Sequence, residues 1–216
     1  MLVSLCFLAY KRSDWLNTCI NSCINTISKP CEIIVNLDGS DESNLSYLHN
    51  LFISKRISKL ILNNGNNRGV GRSFQNCLGV AEGDYIFKID TDLIFKDSWL
   101  TTSLSILENN PDVGAVSQFD YRHYDPNDKR FQVLEERKDC LIVNDFVSSI
   151  YGFRKSDRIK IEPVSDDGNH TKLGKLAITK VDMVKNQGFG VNKSVYISGT
   201  EDHPYKTPTF DQPLIL

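Results

Sequence analysis

The order of strand-like and helix-like segments in the first 119 residues constrains the fold of this chain more than any other feature. Short apolar, β-prone runs predict five strands, at residues 2–9, 31–37, 57–62, 85–89 and 113–119. Apolar residues recur at helical spacing between these runs and predict four helices, which begin near residues 13, 42, 68 and 97. Strands that alternate with helices in this way form a mostly parallel sheet covered by helices. The expected fold class is therefore α/β.

Polar residues follow four of the predicted strands at the points where the strands end. Tyr10 follows the first strand and Asp38 the second, the polar loop 63–68 follows the third, and Asp90 and Asp92 end the fourth. In open α/β sheets, ligands bind beyond the carboxyl ends of the strands. We therefore expect these positions to line one edge of the sheet and to form one binding site.

The segment Asp90-Thr91-Asp92 is the strongest candidate for chemistry at that edge. Alternation along an extended chain predicts that both carboxylates face the same side. Two carboxylates a few ångströms apart repel each other unless a cation or a proton lies between them. A hard divalent cation with open positions for phosphate oxygens suits such a pair. The alternative is a solvated acidic turn ahead of the next helix.

The composition is that of an ordinary soluble globular protein, with 40% hydrophobic and 24% charged residues among 216. That length accommodates one domain with a full hydrophobic core. The formal net charge of −2 argues against a nucleic-acid binder driven by bulk charge. No apolar run approaches the ~20 residues needed to span a bilayer. Residues 2–9 lack the basic start and the cleavage site of a signal peptide.

The six cysteines fall mostly within apolar patterns and form no Cys-x-x-Cys pair. This usage predicts free thiols in a reducing compartment, and hence a cytoplasmic protein. The spacing does not match that of a zinc site.

The second half of the chain is less regular than the first. Short strands are expected at residues 140–147 and 150–153, a weak helix at 172–187 and a last strand at 195–197. The polar and aromatic segment 120–130 predicts an exposed loop that either contacts an acceptor sugar or closes as a lid. We see no linker or internal repeat, so a single domain with an irregular C-terminal third is the economical prediction.

Four short motifs occur in a fixed order along this framework. They are residues 9–12 after the first strand, residues 37–41 after the second, residues 67–71 at the start of the third helix, and the aspartates at 90–92. Together they resemble glycosyltransferase family 2, whose members have the GT-A fold. The resemblance covers residues 2–120 well and the remainder loosely. In the second motif, Leu37 replaces the first aspartate of the family's turn and one residue is missing.

The resemblance implies a GT-A fold, with a Rossmann-like, mostly parallel central sheet and a more irregular acceptor-side region. Residues 1–119 would form the nucleotide-sugar-binding half, and residues 120–216 the acceptor-binding half, of one domain. The chain is also compatible with being one domain of a longer multi-domain enzyme.

The resemblance further implies an inverting, metal-dependent transferase, with a UDP-sugar as the favoured donor and Mn²⁺ or Mg²⁺ as the cofactor. Asp92 would bind the metal, Asp90 the metal or the ribose, and His203 would be a third metal ligand. Asp38 would accept a hydrogen bond from the base, and Arg68 would pair with the pyrophosphate or with Asp38. The full set of expected nucleotide-sugar contacts is Ala9, Tyr10, Arg12, Asp38, Asn67, Arg68, Asp90 and Thr91.

An inverting enzyme needs a carboxylate base to deprotonate the acceptor hydroxyl. The family keeps this base in an acidic pair in the second half of the domain. Asp167 is the first candidate, Asp166 the second and Asp202 the third. The segment Gly168-Asn169-His170 departs from the family pattern that usually follows the base.

Three other functions remain open at this point. A nucleotidyltransferase would also use a carboxylate pair, but it usually has a Gly-rich phosphate loop, and residues 9–13 contain no glycine. A dehydrogenase would need a Gly-x-Gly-x-x-Gly segment after the first strand. A catalytically inactive module that retains nucleotide-sugar affinity is the third alternative. The sugar, the nucleotide and the hydroxyl acceptor, a glycan or another molecule, cannot be read from the motifs.

Overall fold

A computed structural model describes residues 1–39, 42–63, 67–118, 132–146, 149–165, 169–180, 183–186 and 214–216. The helices of this part of the chain are α1 (Ser13–Thr26), α2 (Glu42–Ile53), α3 (Val70–Val80) and α4 (Trp99–Asn109), with 3₁₀ helices at Lys155–Lys160 and His170–Leu173. The strands are β1 (Val3–Ala9), β2 (Cys31–Asp38), β3 (Lys59–Asn63), β4 (Tyr85–Asp90), β5 (Leu93–Phe95), β6 (Val113–Ser117), β7 (Val133–Glu136), β8 (Cys140–Val143), β9 (Ile150–Arg154), β10 (Lys175–Thr179), β11 (Val184–Asn186) and β12 (Leu214–Ile215).

A ten-stranded sheet of order β12-β3-β2-β1-β4-β9-β6-β10-β8-β7 forms the centre of the described structure. The pairs β3–β2, β2–β1, β1–β4 and β6–β10 are parallel. Strand β9 is antiparallel to both β4 and β6. Strands β5 and β11 form a separate two-stranded antiparallel sheet. The predicted α/β class with a mostly parallel, helix-flanked sheet is confirmed.

Helices cover both faces of the sheet, because alternate residues of its buried strands are apolar on each side. Leu5 and Phe7 of β1 lie in the core layer that includes side chains from α1, α2 and α4. Cys6 and Leu8 of the same strand lie in the opposite layer, with side chains from α3. The sheet is therefore the middle of three layers, and the carboxyl ends of β1 to β4 emerge between the two helical layers.

The predicted helix at residues 172–187 is wrong. His170–Leu173 is a 3₁₀ helix, Lys175–Thr179 is strand β10, and Val184–Asn186 is strand β11. Leu176 and Ile178 pack in the layer with α3, whereas Ala177 between them packs in a third apolar cluster with residues of α4. This period-two burial is that of a strand with two covered faces. The predicted loop at 120–130 and the predicted strand at 195–197 lie outside the described residues.

A strand was predicted at residues 150–153, but its place between β4 and β6, as β9, was not. Gly152 of β9 pairs with Phe87 of β4. A Cβ atom at residue 152 would lie 2.2 Å from the Phe87 ring, so the ring occupies the space over this glycine. The close approach of β9 to β4 depends on this missing side chain.

Candidate functional site

The carboxyl ends of four parallel strands meet at one edge of the sheet, which we call the rim (Ala9, Asp38, Asn63 and Asp90). In the strand registers, Ala9 pairs with Leu37, Asp38 pairs with Asn63, and Leu8 pairs with Asp90. Asp38 follows Asn36 on the face covered by α3, and Asp90 follows Ile86 and Lys88 on the same face. Asp90 lies level with Leu8 and therefore with Asn36, so Asp38 is two strand spacings away and two residues further along, a separation of about 12 Å.

Asp38 is buried, with 4% of its surface exposed, and it binds the loop that precedes α3. Its carboxylate accepts hydrogen bonds from the main-chain N–H of Arg68 at 2.9 and 3.0 Å and from that of Gly69 at 2.9 Å. It also accepts one from the side-chain amide of Asn63 at 2.9 Å. The negative charge lies at the N-terminal end of α3, where the helix dipole favours an anion. Asp38 thus fixes the loop on which Arg68 stands.

Behind Asp38, the buried Asn36 and Asn63 and the half-buried Asn76 form a ladder of hydrogen-bonded amides. The amide of Asn76 in α3 donates to Asn36 at 3.2 Å and to Asn63 at 3.1 Å. Asn63 in turn donates to Asp38, so the ladder connects helix α3 to the carboxylate. Asn63 was expected at the rim as the first residue of the polar loop 63–68, whereas no role was predicted for Asn36 or Asn76. Polar residues within otherwise apolar strand ends were the available signal.

At Gly69 the backbone adopts φ of 87°, which is the left-handed region that glycine tolerates best. Its N–H is shared between Asp38 and the side-chain oxygen of Asn67, 2.8 Å away. Asn67 and Arg68, two of the predicted site residues, therefore stand at the rim beside Asp38. Arg68 contacts Asp38 through its main chain, whereas the sequence had suggested a side-chain pair.

The turn from β1 to α1 is held in an uncommon conformation. Lys11 and Arg12 both have positive φ, at 51° and 53°, a region that costs side-chain-bearing residues free energy. The buried amide of Asn44 donates to the Lys11 carbonyl at 3.1 Å and fixes the turn from the side of α2. The Lys11 ammonium lies 5.1 Å from the Tyr10 ring centre, and the Arg12 guanidinium lies 4.7 Å from that of Trp15. Strained turns of this kind are common at binding sites.

Asp90 is the last residue of β4, and Asp92 lies in the turn that follows it. The turn, and not strand alternation, therefore sets the position of Asp92, which corrects the reasoning applied to the sequence. Thr91 and Asp92 are each 9% exposed. The Lys88 ammonium lies 2.5 Å from Asp90 Oδ1. Lys88 was not among the predicted site residues, although it is the one charged residue within the apolar run 85–89.

Three charged side chains, those of Lys88, Asp90 and Asp92, lie at the carboxyl end of β4. Although 32% of the Asp90 side-chain surface is exposed, burial of the carboxyl group raises its pKa to about 6, because the Lys88 ammonium offsets burial only in part and the Asp92 charge adds to it. The Asp92 charge acts on this pKa because Asp92 is only two residues from Asp90, in the turn that follows β4.

On the α3 side of the rim, the segment up to Ser165 packs against the start of α3. A Cβ atom at Gly71 would lie 2.7 Å from the main-chain carbon of Ser165. The side-chain amide of Asn169 donates to the carbonyls of Ile161 at 2.9 Å and Pro163 at 2.8 Å. The Ser165 hydroxyl donates to the Asn169 side chain. The base candidates Asp166 and Asp167 fall between these flanks and lie outside the described residues, as do Asp202 and His203.

A buried histidine follows this segment. His170 Nε2 lies 2.8 Å from Asp145 Oδ1, and the imidazole stacks on Phe146 with ring centres 4.6 Å apart. Its ring centre is 5.6 Å from that of Tyr151, which pairs with Lys88 across β9 and β4. Because Phe146 and Tyr151 belong to the apolar layer with α3, the structure places His170 on the α3 face of the sheet.

The profile of glycosyl transferase family 2 matches residues 4–181. The chain belongs to this family. An uncharacterized glycosyltransferase of Haemophilus influenzae is 34% identical over 119 residues, which are 55% of this chain and 36% of that protein. A glucosyl-dolichyl phosphate glucuronosyltransferase of Haloferax volcanii is 27% identical over 115 residues, again 36% of its length. The chain therefore spans about a third of the length of these two relatives.

Solved structures show the same fold as this family 2 domain. A mannosyltransferase of Pyrobaculum calidifontis in complex with GDP-Man and Mn²⁺ superposes with a TM-score of 0.64 at 18% identity, over 84% of this chain and 55% of that one. Residues 1–349 of S. aureus TarS in complex with UDP-GlcNAc superpose with a TM-score of 0.62 at 14% identity, over 85% of this chain and 58% of that one. In the described part of the family 2 domain, each helix is too short or too polar to cross a membrane.

The residues at the end of β4 fit the divalent cation expected of this family. Mg²⁺ and Mn²⁺ prefer oxygen ligands, and sites for metal–phosphate complexes commonly use one or two carboxylates and leave the other positions to water and phosphate. Asp90 and Asp92 are such a pair, and their charges interact. Within the described ranges, no group of three or more His, Cys, Asp or Glu side chains could hold a metal. The pair would therefore depend on the substrate, or on His203, for further ligands.

Proposed function

We propose that this chain is the catalytic domain of an inverting, metal-dependent glycosyltransferase. It would move a sugar from a nucleotide-sugar donor, with a UDP-sugar favoured, to a hydroxyl of a glycan or another acceptor. One observation carries this proposal: the loop at Asp38 and the carboxylate pair at Asp90 and Asp92 stand on the same rim, about 12 Å apart by strand spacing and register. That distance suits a ligand with a nucleoside at one end and a diphosphate at the other.

The nucleoside end would lie over β1 and β2. Tyr10, Asn67 and Arg68 stand there, on a loop and a turn that Asp38 and Asn44 hold in place. Since Asp38 already accepts hydrogen bonds on both oxygens, we assign it to the loop and not to direct contact with the base. The α3 N-terminus is likewise taken up by this carboxylate, so the diphosphate would lie at the β4 end.

At the β4 end, Asp92 would hold the cation and Asp90 would bind the ribose or a water on the metal. The cation, when bound, neutralises the charge that develops on the diphosphate leaving group. Thr91 lies between the two aspartates and would line the same pocket. The side chain of Asp90 is held by Lys88, so one carboxylate oxygen has a fixed direction before the donor arrives.

The transfer itself needs a base on the acceptor side. The acceptor oxygen forms a bond to the anomeric carbon from the face opposite the diphosphate, and the bond to the diphosphate oxygen breaks with its electron pair. The hydroxyl proton passes to a carboxylate. Asp167 remains our first candidate for this role, ahead of Asp166. The packing of Ser165 against Gly71 supports it, because this flank lies next to the loop that Asp38 holds.

Calorimetric titration of UDP and GDP, each with and without Mn²⁺, tests the proposal. The wild type should bind one of the two nucleotides more tightly than the other. That nucleotide should bind at least tenfold more tightly with Mn²⁺ than without it, and Asp92→Ala should lose the metal-dependent part. Asp97→Asn is the matched control, because Asp97 is an exposed carboxylate beyond the same turn. A panel of sugars on the preferred nucleotide then names the donor.

Slow release of nucleotide from the preferred donor in water would separate an enzyme from an inactive binding module. Hydrolysis that disappears in Asp92→Ala supports the enzyme. Binding without hydrolysis or transfer to any sugar acceptor would favour the inactive module. The absence of binding to either nucleotide, with or without metal, would refute the proposal.

A further inference from the structure

His170 is a buried polar residue that the proposed reaction does not use. Only 8% of its surface is exposed, and it begins the 3₁₀ helix His170–Leu173. Its imidazole stacks on the Phe146 ring with an angle of 17° between the ring planes, and the ring centre of Tyr151 lies 5.6 Å away. Both rings belong to the apolar layer on the α3 face. A polar ring in such surroundings costs free energy unless it is hydrogen-bonded.

Asp145 is a hydrogen-bond partner of this histidine. Its Oδ1 lies 2.8 Å from His170 Nε2, and the same oxygen accepts the main-chain N–H of Phe146 at 2.8 Å. The direction of the carboxylate is therefore set by its own backbone as well as by the imidazole. The Asp145 side chain is 37% exposed, whereas that of His170 is 9% exposed. His170 is thus held by stacking on its face and by a hydrogen bond at its edge.

The residue before His170 is also held in place. Asn169 is 5% exposed, and its φ of 55° lies in the left-handed region, which asparagine tolerates better than most side-chain-bearing residues. Its side-chain amide donates to the carbonyls of Ile161 and Pro163, and its side-chain oxygen accepts the Ser165 hydroxyl. Such a conformation persists where the surroundings determine it. We call Asn169 and His170 together the anchor.

The anchor stands at one end of the segment that contains the base candidates. At the other end is Ser165, whose backbone packs against Gly71 at the start of α3. Val164, next to Ser165, donates its main-chain N–H to the side-chain oxygen of Gln75 in the same helix at 3.0 Å. Helix α3 therefore fixes the Ser165 end, whereas Asp145, from the connection between β8 and β9, fixes the end at the anchor.

We propose that Asp145 and His170 are positioning residues for the acceptor side of the site. They hold the anchor, and the anchor together with Ser165 places the carboxylate that takes the proton of the acceptor hydroxyl. The inference rests on the proposed function, since it assumes that Asp167 or Asp166 is that carboxylate. It assigns to the Asp145–His170 pair a role in the rate of transfer and not in donor binding.

The test measures the release of nucleotide, in the presence of Mn²⁺, from the UDP-sugar or GDP-sugar that calorimetry identifies as the preferred donor. Water takes the place of the unidentified acceptor: it attacks the anomeric carbon and gives its proton to the base, and the bond to the diphosphate breaks with its electron pair. Asp145→Ala removes the hydrogen bond to His170, Asp145→Asn keeps an oxygen at the same place, and His170→Phe keeps only the stacking.

Asn110→Ala is the matched control for a loss of stability alone. Asn110 is 8% exposed, and its amide donates to the partly exposed Asp139 at 3.2 Å. It lies just before β6 begins, at the end of the sheet away from the rim, because β9 is antiparallel to both β4 and β6. Circular dichroism and a thermal melt show whether each variant is folded at the assay temperature.

Asp145→Ala and His170→Phe should each lower kcat roughly tenfold or more, with the KM for the donor and the calorimetric affinity for its nucleotide unchanged. Asp145→Asn should retain most of the turnover of the wild type, and Asn110→Ala should retain all of it. If Asp145→Ala does not fold, His170→Phe takes its place. A second comparison uses the more damaging of Asp166→Asn and Asp167→Asn. In that background, Asp145→Ala should lower kcat no further, because the position of a missing base no longer matters.

Four outcomes would overturn the inference while the proposed function stands. The first is turnover of Asp145→Ala equal to that of Asn110→Ala, and the second is a loss that appears in donor affinity instead of kcat. The third is an undiminished effect of Asp145→Ala in the background that lacks the base. The fourth is full turnover of both Asp166→Asn and Asp167→Asn, since the base would then lie elsewhere. If the wild type releases no nucleotide from any donor, the proposed function is itself overturned, and the inference with it.

Discussion

Replacement of Asp38 by asparagine tests whether this carboxylate works through the loop before α3. Asp38 is 4% exposed, and its two oxygens receive hydrogen bonds from Asn63 and from the main chain of Arg68 and Gly69. An asparagine of the same shape keeps one acceptor oxygen and turns an NH₂ group toward at least one of these donors. The change therefore removes one or two charge-assisted hydrogen bonds and leaves a buried donor unpaired.

Hydrogen bonds to a charged group contribute about 1.5–3 kcal/mol each. We expect Asp38→Asn to lower the free energy of unfolding by about 2–4 kcal/mol, which corresponds to a fall in Tm of roughly 10 °C for a chain of this size. Urea denaturation followed by circular dichroism measures the first quantity and a thermal melt the second. Asp97 is an exposed carboxylate, so the free energy of unfolding of Asp97→Asn should stay within about 0.5 kcal/mol of that of the wild type.

The same variant separates two roles in nucleotide binding. If Asp38 acts by fixing the loop, Asp38→Asn weakens UDP and GDP by similar factors. If it contacts the base directly, the variant weakens the natural nucleotide and spares the other. A loss of unfolding free energy no larger than that of Asp97→Asn would refute the reasoning, because it would show that the buried hydrogen bonds contribute nothing.

Three further substitutions test other contacts. Asn44→Ala, which removes the donor that fixes the β1–α1 turn, should cost about 1–2 kcal/mol in urea denaturation and weaken nucleotide binding in the calorimeter. Gly71→Ala should destabilise by about 1–3 kcal/mol because its Cβ would collide with the Ser165 backbone; Gly79→Ala in the same helix, where nothing lies within 4 Å, should instead stabilise by up to about 1 kcal/mol. Burial raises the pKa of the Glu32 carboxyl, but its hydrogen bonds together have the larger effect in the opposite direction. The pKa therefore lies below its ordinary value near 4.5. This stabilisation is present above pH 4.5 and is lost as the pH falls, so the stability advantage of the wild type over Glu32→Gln should shrink between pH 6 and pH 3, and an advantage that stays constant would contradict the assignment.

The first half of the fold could be predicted because its information is local. Apolar runs such as residues 85–89 are long enough to identify a buried strand, and helical periodicity identifies the segments between them. The second half depends on contacts between distant segments. The place of β9 is set by a phenylalanine ring lying over Gly152, and neither residue reveals the other in the sequence. Residues 175–179 were assigned to a helix because only five residues carry their period-two pattern.

The candidate site also has features that could be predicted from the sequence and features that could not. The positions of Asp38 and Asp90 follow from where the strands end, which the sequence shows, whereas the turn after β4 sets the position of Asp92. Their partners do not follow, because the donors to Asp38 are main-chain N–H groups of a loop whose conformation depends on α3. Lys88 could have been found, since a lysine inside an apolar run must be paired if the run is a buried strand. Its distance of two residues from Asp90 on the same strand face already indicated the partner.

The start of helix α3 connects the two halves of the proposed reaction. Gly69 donates its N–H to Asp38 on the donor side, and two residues later Gly71 touches the Ser165 backbone, which leads to the base candidates on the acceptor side. Interiors are close-packed, so a displacement of this first turn is passed to both neighbours. If Asp167 is the base, substitutions at Gly71 should affect donor binding and the rate of transfer together, whereas Asp92→Ala should act through donor binding and leave the acceptor side in place. If Asp167 is the base, helix α3, more than the sheet, would then determine how the base is placed relative to the donor.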